Sequence, residues 1–224
     1  MPKRYFVDQG TPEWHHLRLG IPTASQFHRI ITPAGKPSAQ ANQYRNQLIA
    51  ERLLLEPTES RVDHIQWVER GKFEEPHAAS QFEFVTGLEL EPIGFITNDE
   101  KSLGCSPDRL VVGRNEAVEI KCPQAGTHIG YLLDGLTDYR AHVQGQMLVG
   151  GFDRVHFYSW HKRMPPKRII TERDEEYIAL MAKELARFVE ELDTKTEEAR
   201  AMGDFQAREW IMAVDPERAA EYLQ

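Results

Sequence analysis

The chain has only two cysteines, Cys105 and Cys122, among its 224 residues. So few thiols exclude a disulfide framework, a four-thiolate zinc site and a cysteine-held iron–sulfur cluster, and leave the pair as small buried hydrophobes. Long apolar runs are also missing. No stretch of about 18 apolar residues is available to span a bilayer, and the opening Met1-Pro2-Lys3-Arg4-Tyr5-Phe6 lacks the apolar segment of a signal peptide. A cytoplasmic protein without membrane contact is expected. The histidines show no transition-metal spacing: His15 and His16 are adjacent, and neither His-x-x-Glu-His nor Cys-x-x-Cys occurs. Internal repeats and low-complexity linkers are absent, and the length suggests a single domain over residues 1–224.

Positive charge is scarce overall, with a net charge of -8, which argues against polyanion binding on bulk grounds. Its distribution reverses that inference. Residues 1–72 carry a net +3, residues 73–173 a net -3 and residues 174–224 a net -8. The acidity therefore sits late in the chain, on a helical pattern bearing Asp174, Glu175, Glu176, Glu184, Glu190 and Glu191. Such a face is read as solvated, with a partner-docking surface as the alternative.

Local signals give an α/β chain. Thr11-Pro12-Glu13 predicts a capped helix that stops at Gly20, and the capping-box spacing of Thr23-Ala24-Ser25-Gln26 predicts another through Phe27, Ile30 and Ile31. Thr32 to Gln40 reads as a loop. Helical periodicity follows over 42–55 and from about Trp67 to Val85, with a bend expected at Pro76 and a stop at Gly87. Strand-like runs then occupy Leu90–Thr97, Leu103–Ser106, Leu110–Val112 and Ala117–Cys122. A helix over about Tyr139–Val149, strands at Val155–Trp160 and Arg168–Thr171, and a long amphipathic helix over about Asp174–Ala201 complete the pattern. Asp215-Pro216 offers one more helix start.

The segment richest in chemistry is Cys105-Ser106-Pro107-Asp108, followed by a hairpin signal and Glu119-Ile120-Lys121. With Gly113–Glu116 as the loop, Val112 is expected opposite Ala117, Leu110 opposite Glu119 and Asp108 opposite Lys121. Side chains alternate along a strand, so Asp108, Glu119 and Lys121 share one face, the two carboxylates as diagonal neighbours able to hold one cation. Two carboxylates beside an amine suit phosphodiester hydrolysis. Magnesium prefers oxygen donors, keeps several waters and lowers the pKa of the attacking one. Lys121 could orient or deprotonate that water, and the Ile120 carbonyl could complete the coordination shell. By spacing alone, a surface salt bridge on a hairpin accounts for the same residues equally well.

Further motifs accompany that segment. Trp14-His15-His16-Leu17-Arg18-Leu19-Gly20, Thr23-Ala24-Ser25, Gly71-Lys72 with Glu75, Cys105-Ser106-Pro107-Asp108 and Glu119-Ile120-Lys121-Cys122-Pro123 resemble, in order, the motifs of the lambda-exonuclease family, the YqaJ-like viral recombinases of the PD-(D/E)xK nuclease superfamily. The resemblance runs from about residue 14 to 201, and about 204–224 form an extension without counterpart. It implies a central mixed β-sheet flanked by helices, a restriction-endonuclease-like core. It also implies that Asp108, Glu119 and the Ile120 carbonyl are metal ligands for Mg2+, as two ions, with Mn2+ as substitute. Lys121 would be the catalytic lysine, and Glu75 a support of the metal site from its helix.

The family degrades one strand of duplex DNA from the 5′ end to mononucleotides and leaves a 3′ overhang. It forms a ring-shaped homotrimer and works with a single-strand annealing recombinase, so all three properties are expected of this chain. Arg18, Ser25 and Ser106 match the family's 5′-phosphate pocket. Ser25 in the first turn of a helix and a bidentate Arg18 suit that task physically. Where the family has a Gln-x-Gln pair on a helix, this chain has His142-Val143-Gln144, so His142 stands in the phosphate-binding position, where it can still donate a hydrogen bond. Val68 matches an apolar wedge between bases, and Tyr139 and Gln144 match the helix motif; each would serve equally as a packing residue. Two other readings remain at this point: an endonuclease or junction resolvase of the same superfamily, and a non-catalytic DNA-binding or recombinase-loading module.

Overall fold

The computed structural model describes residues 1–57, 66–135 and 139–206. The expected helix start at Asp215-Pro216 lies outside them. Strand β1 (Lys3–Tyr5) leads into helix α1 (Pro12–Arg18), a 3-10 helix (Ala24–Arg29), α2 (Ala41–Leu54) and α3 (Gln66–Thr86). Five strands follow: β2 (Leu90–Pro92), β3 (Phe95–Thr97), β4 (Gly104–Cys105), β5 (Arg109–Val111) and β6 (Glu116–Lys121). The chain continues through α4 (Ala125–Asp134), α5 (Arg140–Gly150), β7 (Arg154–Ser159), β8 (Lys167–Glu172) and α6 (Glu175–Arg200).

The helix boundaries have local causes. Thr11 caps α1 by accepting the Trp14 N–H, with Pro12 in the first turn, and Asp174 caps α6 by accepting the Tyr177 N–H at 3.0 Å. The expected helix from Thr23 is corrected: Ala24–Arg29 is a six-residue 3-10 helix and Thr23 makes no capping hydrogen bond. The Thr23 hydroxyl is instead within 3.3 Å of Ser25 Oγ. Pro76 lies inside α3 without ending it.

The strands form two sheets, in the orders β1-β3-β4 and β2-β5-β6-β7-β8. Leu90–Thr97 is therefore not one strand. Pro92 ends β2, and at Gly94 the chain crosses to the other sheet, where a Cβ would lie 2.2 Å from Val7 O; only glycine admits that approach. In the larger sheet β6 and β7 pair in parallel and all other pairs are antiparallel, so the sheet is mixed. A parallel pair requires a crossover, and α4 and α5 supply it.

Strand β6 is central and buried on both faces. On one face Val118 and Ile120 pack with Ala78 and Phe82 of α3 and with Tyr158. On the other, Ala117 joins the main core with Phe27, Val143, Met147, Tyr177, Met181 and Leu185, drawn from the 3-10 helix, α5 and α6. At roughly 25 cal/mol per Å2 of apolar surface removed from water, fully burying one such side chain contributes about 1.5–3 kcal/mol.

The hairpin register is also corrected. Leu110 pairs with Ala117 and Arg109 with Val118, and the loop is 112–115. Gly113, at φ +72°, takes the second loop position rather than the first, which slides the pairing by two residues. An even slide preserves the faces, so Glu119 and Lys121 still project with Ala117. Asp108 lies past the last ladder pair, and the carboxylates are not diagonal ladder neighbours.

Candidate active site

On the α5 side of β6, Glu119 is the centre of a hydrogen-bond cluster. Gln146 Nε2 donates to its Oε2 at 2.6 Å, Lys121 Nζ donates to its Oε1, and His142 Nε2 stands 3.8 Å from Oε1. Asp108 reaches the same place from the end of β5. Its N–H donates to Val118 O at 3.1 Å, and its Oδ2 accepts the Ile120 N–H at 2.6 Å.

Burial makes these charges interact strongly. It pushes the Asp108 carboxyl well above the usual carboxylate range, and the neighbouring Glu119 and Glu75 add to the push against the opposing pull of Lys121 and the Ile120 amide. Glu119 experiences the same desolvation, but Lys121, His142 and its hydrogen bonds outweigh it and hold the group below its ordinary value. Desolvation acts to discharge Lys121, yet Glu119 and Asp108 raise its pKa above the ordinary value. The two carboxylates that Lys121 faces thus favour its ammonium form. Burial lowers His142 against the opposing pull of Glu119, while Lys121, Arg18 and His28 act in the same direction as burial.

The donor set fits one kind of metal. Among the described residues no group of three or more His, Cys, Asp or Glu side chains could hold an ion. A closed zinc-type site is thus not offered. Two carboxylates with the Ile120 carbonyl suit magnesium, which binds through one or two protein carboxylates and retains water. A cation there would also relieve the repulsion that raises Asp108.

Glu75 is held slightly apart. Arg109 Nη1 donates to Glu75 Oε1 at 2.8 Å and to the Asp108 carbonyl at 2.5 Å, so Glu75 reaches Asp108 through that arginine. Val68 falls within α3, but its side chain lies outside the described residues. Gln144 is turned away: its amide donates to Glu172 O at 2.9 Å and accepts from Asp174 N–H at 3.0 Å, which fastens α5 to the β8–α6 junction. Tyr139 packs against Phe157 and Tyr131, with its ring centroid 6.0 Å from that of His142.

A second cluster assembles around Arg18. Its Nη1 donates to Ser106 Oγ at 2.7 Å and its Nη2 to Thr23 Oγ1 at 3.5 Å, and Thr23 in turn contacts Ser25. The guanidinium lies 4.1 Å from the Trp14 ring centroid, and Trp14 Nε1 donates to Ser106 Oγ at 3.2 Å. Burial lowers the Arg18 pKa to about 10. Among the described ion pairs none involves Arg18, whose hydrogen bonds go to hydroxyls instead. Glu51 acts on it only at longer range, and a desolvated cation without a direct carboxylate partner suits an anionic ligand. The six-residue 3-10 helix withdraws the helix-terminus argument for Ser25, leaving its hydroxyl.

Sequence reasoning missed Gln146, and it quoted Thr23 and Trp14 within motifs without giving either a role. Gln146 had a readable signal, because it stands four residues after His142 and so shares its helix face, whereas Gln144 does not.

Residues 13–153 match the family model described as the YqaJ-like viral recombinase domain. The fold is similar to that of an alkaline exonuclease, LHK-Exo, from Laribacter hongkongensis, at 30% identity and a TM-score of 0.77, covering 86% of this chain and 97% of that one. The structure of LHK-Exo in complex with dAMP matches at 31% identity with the same coverage and score. A phage-related exonuclease from Haemophilus somnus 129PT shares the fold at 16% identity and a TM-score of 0.62, over 80% of this chain and 96% of that one. No curated protein sequence matches the chain.

Proposed function

Because the chain belongs to the YqaJ-like viral recombinase family, we propose that it is a magnesium-dependent exodeoxyribonuclease that degrades one strand of linear duplex DNA from its 5′ end. The observation that carries this reading is adjacency: a half-buried Arg18, hydrogen-bonded to hydroxyls and in none of the described ion pairs, acts electrostatically on His142, which also contacts the Glu119 cluster. One residue thus links a phosphate pocket to a hydrolytic centre. The dAMP held by the related LHK-Exo has the size of the product expected here.

Magnesium, when bound, supplies a water of lowered pKa and neutralises charge on the phosphorane. Asp108, Glu119 and the Ile120 carbonyl would hold it, and Lys121 would offset the extra negative charge of the transition state. Arg18, Ser25, Ser106 and His142 hold the terminal 5′ phosphate. Water adds to phosphorus, the bond to the 3′ oxygen breaks, the water's proton passes to solvent and the 3′ oxygen gains one. The products are a 5′-mononucleotide and a strand whose next residue carries a 5′ phosphate. Each turnover recreates the group that the Arg18 pocket binds, which favours repeated cleavage and leaves a 3′ overhang suited to an annealing recombinase.

A homotrimer with the basic first third facing DNA and the acidic α6 facing outward reconciles the net charge with this substrate. Sedimentation at micromolar concentration should give the trimer, and a monomer with and without DNA would remove that element. The reading as a whole is tested on one linear duplex with magnesium, bearing a 5′ phosphate or a 5′ hydroxyl, beside the same DNA as a closed circle. Mononucleotides released fastest from the phosphorylated linear form are expected. A cut circle would mark an endonuclease, and no cutting at all a binding module.

A further inference from the structure

The amide of Gln146 is fully buried between α5 and β6, and its orientation is fixed by charge. Glu119 Oε1 takes the Lys121 ammonium, and Glu119 Oε2 lies 2.6 Å from the nearer end of the Gln146 amide. A carboxylate only accepts hydrogen bonds, so the end facing it is the nitrogen. Turning the amide over would set its oxygen against the carboxylate. The assigned orientation leaves Gln146 Oε1 buried without a partner, a cost that the charge-assisted bond to Glu119 offsets.

The same nitrogen is 3.2 Å from Nε2 of His142, one helical turn earlier. Glu119 Oε1, 3.8 Å from the same ring nitrogen, is beyond hydrogen-bond reach, and an amide nitrogen carries two hydrogens and accepts none, so the ring nitrogen meets it by accepting. From this geometry we propose that Gln146 is a positioning residue that holds His142 in the tautomer protonated at Nδ1, making His142 a hydrogen-bond donor to the 5′ phosphate of the DNA end. Among the described residues Nδ1 has no protein hydrogen-bond partner. The amide therefore does for histidine what a glutamine at this position would do for itself, which is to present an N–H. The last step rests on the reading of His142 as a phosphate contact given above; the tautomer does not.

Two measurements separate the two parts. Two-bond 1H–15N spectra of protein labelled at histidine nitrogen, with His142 assigned by comparison with His142→Gln, should show Nδ1 protonated and Nε2 bare in the unsubstituted protein at neutral pH. A proton on Nε2 overturns the proposal. The second readout is the ratio of digestion rates for 5′-phosphorylated and 5′-hydroxyl duplex. Gln146→Met loosens Glu119 and slows both substrates, so only a change in the ratio reports on His142. The ratio should fall about tenfold, the loss of one hydrogen bond to a charged group. In a His142→Gln background, where the side-chain amide has no tautomer to set, the same Gln146→Met change should leave the ratio within about twofold. An unchanged ratio in the single variant, or an equal fall in both backgrounds, refutes the link to phosphate. A wild-type protein indifferent to the 5′ phosphate would instead refute the functional reading, with the tautomer still decided by the spectra.

Discussion

Replacing Gly145 with alanine tests whether α5 and the 3-10 helix are packed as closely as their residues imply. A Cβ added at Gly145 would lie 2.5 Å from Phe27 Cδ2, 3.0 Å from Phe27 Cε2 and 3.3 Å from Ala24 Cβ. Phe27 and Ala24 are fully buried, so the ring cannot swing into solvent. Overpacking of this kind costs about 1–3 kcal/mol, while alanine in a helix interior gains roughly 0.5–1 kcal/mol over glycine. The net expectation is a loss of about 0–2.5 kcal/mol. Gly130 on α4 is the control, because nothing lies within 4 Å of its added Cβ and the propensity gain should appear undiminished. Urea unfolding of the two variants measures both numbers against the same parent. The displaced 3-10 helix carries Ser25, so Gly145→Ala should also weaken discrimination for 5′-phosphorylated DNA. Equal stabilisation by both substitutions would refute the reasoning.

Asp108→Asn should slow hydrolysis about a hundred- to thousandfold while raising the melting temperature in chelator, since it removes a buried charge from beside Glu119; a lower melting temperature would contradict the electrostatic account. Arg18→Lys should lose most of the preference for a 5′ phosphate, because a lysine cannot reach the Ser106 and Thr23 hydroxyls with a two-pronged group, and full retention in paired digestion assays would count against the pocket. Burial also holds His156 below its ordinary pKa of 6.5 despite its bond to Glu116, with Arg168 beside it. The unfolded chain then takes up this proton first, so stability should fall as pH drops from 6.5 towards the lower folded value, and His156→Gln should flatten that slope in melts between pH 7.5 and about 5.5. An unaltered slope would mean that other groups govern it.

Much of the site was legible because the chemistry is carried by short local motifs. Asp108, Glu119, Ile120 and Lys121 converge since strand alternation survives the two-residue slip of the hairpin. Ser106 is far in sequence from Arg18 and Ser25, and only the resemblance grouped the three. The slip itself turned on which loop position Gly113 occupies, a choice that hydrophobic pattern does not encode. The break between β2 and β3 was hidden because it depends on Val7, a residue 87 positions before Gly94, closing on a glycine. The 3-10 helix was misread for a related reason: its short turn is set by Phe27 and Ala24 meeting α5, while the capping-box spacing at Thr23 describes only local preference.

The position of α6 has a consequence in time. It lends Tyr177, Ile178, Met181, Leu185, Phe188 and Leu192 to the core and is tied back to α2 by Arg45–Glu191 and Arg52–Asp193, ion pairs 146 and 141 residues apart. During synthesis every candidate site residue leaves the ribosome before this helix does. Until it docks, the apolar faces of α2, α5 and the 3-10 helix that share this core stay uncovered. The core is therefore closed last, by a segment that carries none of the candidate site residues.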